Sequence, residues 1–242
     1  MKLSEWLLVG YVSAFLTMLF VGISRQRRIH EDRLDTFTGD AVQRGWRFGT
    51  THSGRGYHRD DRWDDPSGAW TVESVGPVVP YSWDPRILRW WNAGRGAAAP
   101  SGPVVALFDT GGKTMPDVSK IEGGLARFAA RRRFARAFTR HFGEALSLDG
   151  RDLQRVDGLG PLTDGFDVLS DQPAEAARRL TPALLASIRQ VWSAWADIGV
   201  KRPGVALCGD RIAIACVTQQ QADIAHVAVL VEAGAALTQG RG

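Results

Sequence analysis

The stretch Phe108-Asp109-Thr110-Gly111 has the clearest chemical connotation in this chain. A hydrophobic strand that ends in Asp-Thr-Gly can present a carboxylate for acid–base work. Two such carboxylates facing each other share one proton and activate water for hydrolysis. One copy is present, so that chemistry needs a homodimer with Asp109 from each chain. The plainer use is a strand end leading into an Asp/Gly turn. The chain beyond the motif favours the plainer use, because it runs into a long helix and then into alternating helices and strands.

Gly112-Lys113-Thr114 has the ending of a phosphate-binding loop. The glycine that such a loop needs five residues earlier would fall at Leu107, so the backbone could not wrap a phosphate. His52, His58, Asp60, Asp61, Asp64 and Asp65 fall within fourteen residues. Imidazole and carboxylate together can hold a divalent ion. Their spacing matches no ligand pattern, and the surrounding HSGRGYHRDDRWDDPSG reads as a solvated loop. No metal ligand set is assigned and no cofactor motif is present.

The remaining chemical feature is charge. From Lys120 to Arg140 seven basic residues face Glu122 alone, a net of +6, which leaves −2 for the rest of a chain of net +4. Arg132, Arg133, Arg136 and Arg140 fall roughly opposite the stripe of Phe134, Phe138 and Phe142. These four arginines are the candidate contacts for anionic lipid headgroups, each adding about 1 kcal/mol near such a surface. The alternative is a solvated face on an arginine-rich protein, where 26 of 30 basic residues are Arg. No nucleic-acid-binding module is recognisable, so no nucleic acid partner is expected.

Elements must carry these residues. WRFGTT (46–51), AWTVESV (69–75), RILRWW (86–91) and VVALFD (104–109) read as strands, in sequence an antiparallel meander. Residues 118–146 read as a helix. GFDVLS (165–170) reads as a strand, with Asp171 placed to cap a helix whose first turn tolerates Pro173. Thr181-Pro182 restarts a second helix, ALLASIRQVWSAWADI. VALC and RIAIACV flank Gly209-Asp210, a two-residue hairpin loop. Residues 224–237 close the chain as a helix. Cys208 and Cys216 are too few for a disulfide framework and read as buried free thiols. The nine tryptophans, Trp90-Trp91 among them, read as packing residues.

Ahead of all this stands Trp6 to Ile23, WLLVGYVSAFLTMLFVGI, with no charged residue. Eighteen helical residues span about 27 Å, near the thickness of a bilayer's hydrocarbon core. The run has no Ala-x-Ala cleavage site and passes straight into Arg25, Arg27 and Arg28. It reads as a single-pass transmembrane helix, and the basic collar puts the C-terminal side in the cytoplasm.

Gly165 to Leu185, GFDVLSDQPAEAARRLTPALL, resembles a group of bacterial membrane-anchored proteins of unknown function. In that group a strand of the form F-x-V-x-S precedes a short helix and then Leu-Thr-Pro at the start of a longer one. The likeness extends over residues 165–240. It implies a membrane-tethered α+β domain and brings no activity, ligand or catalytic residue.

The expected fold class is therefore α+β: one N-terminal transmembrane helix, then a soluble domain with an antiparallel sheet and several packed helices. The expected domains are an anchor at 1–24, a charged juxtamembrane stalk at 25–45, and a domain at 46–242 that is β-rich to 110 and helix-rich from 118. The expected function is a non-catalytic scaffold, sensor or assembly factor at the cytoplasmic face of the cell membrane. Its expected partners are the lipid bilayer, anionic headgroups or another membrane protein. The alternative is a membrane-anchored hydrolase of aspartic-protease type, homodimeric through Asp109.

Overall fold

The structure is a computed structural model that describes residues 3–53, 58–77, 86–94, 97–98, 100–109, 121–142, 146, 153–159, 163–196, 201–218 and 224–239. Within these ranges the side chains of 3–10, 52–53, 58–59, 133–137 and 139–140, among others, are not described. The elements are α1 (Leu3–Gln43), β1 (Arg47–Ser53), β2 (His58–Asp64), β3 (Thr71–Pro77), β4 (Arg86–Trp91), β5 (Val104–Asp109), α2 (Gly124–Phe142), β6 (Gln154–Arg155), β7 (Phe166–Ser170), α3 (Pro173–Arg179), α4 (Pro182–Ala196), β8 (Lys201–Cys208), β9 (Arg211–Thr218) and α5 (Ile224–Gln239). The strands form one nine-stranded sheet in the order β1-β2-β3-β4-β9-β8-β5-β7-β6. Every pairing is antiparallel.

The meander β1–β4 contains a strand that the sequence pattern does not suggest. The segment read as a solvated loop contains β2. His58–Asp64 is charged, yet it alternates as a strand must, with Asp61 and Trp63 to one side and Asp60, Arg62 and Asp64 to the other. Turn chemistry closes β2 onto β3. The carboxylate of Asp65 accepts from the backbone N–H of Ser67 and of Ala69 and pairs with the Ser67 hydroxyl. The Ser67 hydroxyl is the main reason the Asp65 carboxyl is held below its usual pKa; the two backbone donors add to it. β5 does not continue the meander: the β8–β9 hairpin sits between β4 and β5.

One face of the sheet, here the inner face, carries the large core. A row of cross-strand neighbours runs Phe48, Trp63, Val72, Trp90, Ile214, Val205, Leu107, Val168. The end of α1, α3, α4 and α5 cover it, with Phe37, Ala176, Leu184, Ile188, Trp195, Val227 and Leu230 among the buried contacts. Buried positions in α5 recur at Val227, Leu230, Gly234 and Leu237, the spacing of one helical face. Gly234 is required there, because a Cβ would run into the ring of Trp90. The outer face carries a smaller cluster of Phe108, Phe138, Phe142, Leu146, Ala206 and Ala215 under α2.

The two helix starts after β7 differ from each other. Thr181 caps α4 as its type predicts, its hydroxyl accepting from the N–H of Leu184 at 3.2 Å. Asp171 does not cap α3. Its carboxylate accepts from the N–H of Val104 at 2.7 Å, while Ser170 donates to Val104 O and accepts from Gln172 N. The polar pair fastens the entrance of β5 instead. Cys208 and Cys216 are buried free thiols. They sit in the outer and inner clusters respectively, and burial pushes the Cys216 thiol well above its ordinary pKa.

The expected single-pass anchor is overturned, and with it the transmembrane fold class, the cell-membrane location and the cytoplasmic-facing orientation. Among the described residues no helix is long and apolar enough to cross a membrane. Helix α1 runs on past the arginine collar through the stretch expected to form a stalk. It continues as one 41-residue element to Gln43, burying Phe37 and Ala41 in the inner core. Gly45, at φ 72°, then ends it in the left-handed conformation that glycine reaches at little cost, and Trp46 N bonds back to Ala41 O.

Candidate binding surface

The outer face is built row by row from cross-strand partners. One row runs Gly49, Arg62, Glu73, Arg89, Ala215, Gly204, Phe108, Asp167. Its two halves differ in kind. From β9 to β5 the residues are small or apolar, and α2 lies on them. Gly204 is what lets α2 approach, since a Cβ there would meet Phe108 and Phe142 at 3.1 Å and His141 at 3.2 Å. The rings of Phe138 and Phe142 pack edge-on against Phe108 with centroids 5.5 and 5.4 Å away.

From β2 to β4 the same row is a ladder of alternating charge. Arg62 Nη1 donates to Glu73 Oε1 at 3.1 Å, and Arg89 Nη1 lies 3.7 Å from Glu73 Oε2. Arg62 Nε also donates to Asp64 at 3.0 Å, and the Thr71 hydroxyl to Asp64 at 2.6 Å. The Arg62 guanidinium stands 5.7 Å from the Trp91 ring centroid, within reach of a cation–π contact. Arg89 Nε donates to His141 O at 3.1 Å, tying the ladder to the end of α2. The ladder side chains are half-buried, so each is held in one geometry. Burial raises the Glu73 carboxyl above its usual range despite Arg62 and Arg89, which pull it down; Asp60 and Asp64 push it further up. Among the described residues no helix makes a substantial contact with β1–β3 from this side. Arg47, Gly49 and Thr51 of the edge strand are exposed there.

α2 adds cations to the same side. It carries six arginines and no acid. Of the four expected headgroup contacts, Arg132 is exposed, and the side chains of Arg133, Arg136 and Arg140 lie outside the described residues. Leu125 and Phe128, near the start of the helix, are 88% and 62% exposed. The other sequence candidates are scattered. Asp109 is the half-buried last residue of β5, opposite Phe166. Thr110 to Thr114 lie outside the described residues, so neither the Asp-Thr-Gly turn nor the Gly-Lys-Thr triplet has described geometry. The side chains of His52 and His58 are likewise outside. Asp60 and Asp64 face outward while Asp61 faces inward, so the acidic run is divided between two faces. Among the described residues no group of three or more His, Cys, Asp or Glu is placed to hold a metal ion.

Asp61 joins a second polar set, buried at the inner face. Arg86 Nη2 donates to Ser74 O at 3.1 Å and lies 3.7 Å from Asp61, and Thr218 donates to Arg86 O at 3.5 Å. Gly76 leaves room for the Arg86 stem, which a Cβ would meet at 2.7 Å.

The ladder is absent from the candidates that residue spacing alone supplies. The available signal was Glu73 and Arg89, each interrupting the apolar run of its strand, with charges opposite in register once β2 is recognised as a strand. No family model matches this chain, and no curated protein or solved structure matches it either.

Proposed function

We propose that this protein is a non-catalytic scaffold or assembly factor that binds other proteins through the outer face of its sheet. The observation that carries the reading is the Arg62–Glu73–Arg89 ladder on a meander that, among the described residues, no helix covers from that side. Its charges alternate and are held by half-burial and mutual pairing. A fixed plus–minus pattern gives a protein partner specificity through complementary charges. Asp60, Asp64 and Glu73 interrupt the positive charge of Arg62, Arg89 and α2 on that side, a mixed pattern that a uniformly anionic surface does not complement. The hydrolase reading has less support: Asp109 ends a strand inside a nine-stranded sheet that helices cover, rather than lying in a nearly all-β lobe.

The test is site-resolved crosslinking in the cell. A photo-crosslinking amino acid at Thr51, exposed on the outer face, should give discrete protein adducts. The same group at Ser193, exposed on α4 across the sheet, should not. Equal labelling from both positions, or none from Thr51, contradicts the reading. Asp109→Asn should leave the adducts unchanged. Casein cleavage by the wild type that is lost in Asp109→Asn would decide for the hydrolase.

A further inference from the structure

The C-terminal part of α2 is fixed to the sheet by Phe138, Phe142 and the bond from Arg89 to His141 O. Among the described residues its N-terminal part has no such packing. Leu125 and Phe128 are large apolar residues at 88% and 62% exposure, and Arg132 is exposed as well. The spacings of three, four and seven put the three on one side of the helix, one above the other. Two apolar knobs at i and i+3 are anchors of the kind by which a helix seats in a groove, and Arg132 extends the same side by a turn. The sequence of this half of the helix carries arginines at 127, 131, 132 and 133 and no acid. Arg127 also donates to Ile121 O at 3.0 Å, which holds the chain entering the helix.

We infer that the first half of α2 is a docking element for an acidic-rimmed apolar groove on a partner protein. This rests on the protein-binding reading above and names the element and the partner's chemistry. Charge complementarity chooses the occupant. A second copy of α2 would bring six arginines against six, so self-pairing along this helix is repelled. The helix is also continuous, through Arg89 and His141, with the mixed-charge ladder, which suits a protein partner better than a uniformly anionic surface.

The experiment uses the full chain and a random Glu/Tyr copolymer as an acidic, aromatic probe, with polyglutamate and phosphatidylserine vesicles as comparisons. Copolymer binding should exceed polyglutamate binding at least fivefold and weaken as salt rises. Leu125→Ser with Phe128→Ser should weaken it tenfold or more with circular dichroism unchanged, both positions being exposed. Arg132→Glu should weaken it threefold or more. Copolymer binding unchanged in these variants overturns the inference, and so does tight binding to the vesicles with none to the copolymer. The Thr51 crosslinks separate the two levels. If they persist while the α2 variants bind as wild type, α2 is the wrong element and protein binding by the outer face stands.

Discussion

Glu73 is the residue on which the outer face turns. Its two arginine neighbours stabilise the carboxylate, and burial opposes them and wins. A carboxyl whose pKa is raised on folding binds its proton more tightly in the folded state. Its contribution to stability is therefore largest when it is protonated, and falls as pH climbs from its ordinary value near 4.5 through the raised one. Glu73→Gln should remove that slope. The urea midpoints of wild type and variant should diverge least at the bottom of this window and most above it, the wild type losing ground as pH rises. Identical pH profiles would contradict the burial argument. On the inner face, Asp61 and Arg86 set a different expectation. Removing one partner of a buried pair leaves the other charge uncompensated, at a cost of about 3–5 kcal/mol. Asp61→Ala should show a loss of that order in urea unfolding. Neither role was legible in the sequence. Asp61 lies in a run so polar that its periodicity of two was hidden, which also hid the strand that pairs Arg62 with Glu73, and only strand register assigns Asp61 to one face and Asp60 to the other.

At the scale of elements, β3, β4, β5, β7 and the β8–β9 hairpin were legible because they are apolar, β-branched and bounded by turn residues. β2 was not, since it has one apolar side chain, Trp63, and gains its place from neighbours on both edges. Insertion of the hairpin between β4 and β5 was equally invisible, because pairing order is a long-range property. Close approach decides how two helices sit. Gly234 lets α5 meet Trp90, and Gly204 lets α2 meet Phe108. Gly234→Ala should cost about 1–3 kcal/mol through overpacking, and Trp90 fluorescence should respond as the ring is displaced. An unaltered Tm and emission would mean that the helix shifts freely, against the close contact described.

For the whole molecule, α1 is the element whose place changes most. Read alone, its apolar run and basic collar suggested an element separate from the domain. In the fold it is one helix whose last turns belong to the core, with the Phe37 ring 6.1 Å from Phe48 and 6.0 Å from Trp63. Sequence periodicity does not show this, because Phe37 and Ala41 are isolated core contacts in a charged stretch. Phe37→Ala should destabilise the domain by about 3–5 kcal/mol, visible in the unfolding of the meander as well as of the helix.

Among the described residues the molecule then has two unlike sides, an inner one closed by four helices and an outer one that carries a charge ladder and a basic helix. Hydrogen exchange on the full chain, with and without the Glu/Tyr copolymer, tests that division most directly. The expected result is slowed exchange confined to residues 124–132 of α2 and to β2–β3, with α4 and α5 unchanged. Protection of α4 or α5 instead, or none at saturating copolymer, would contradict a binding role for the outer face.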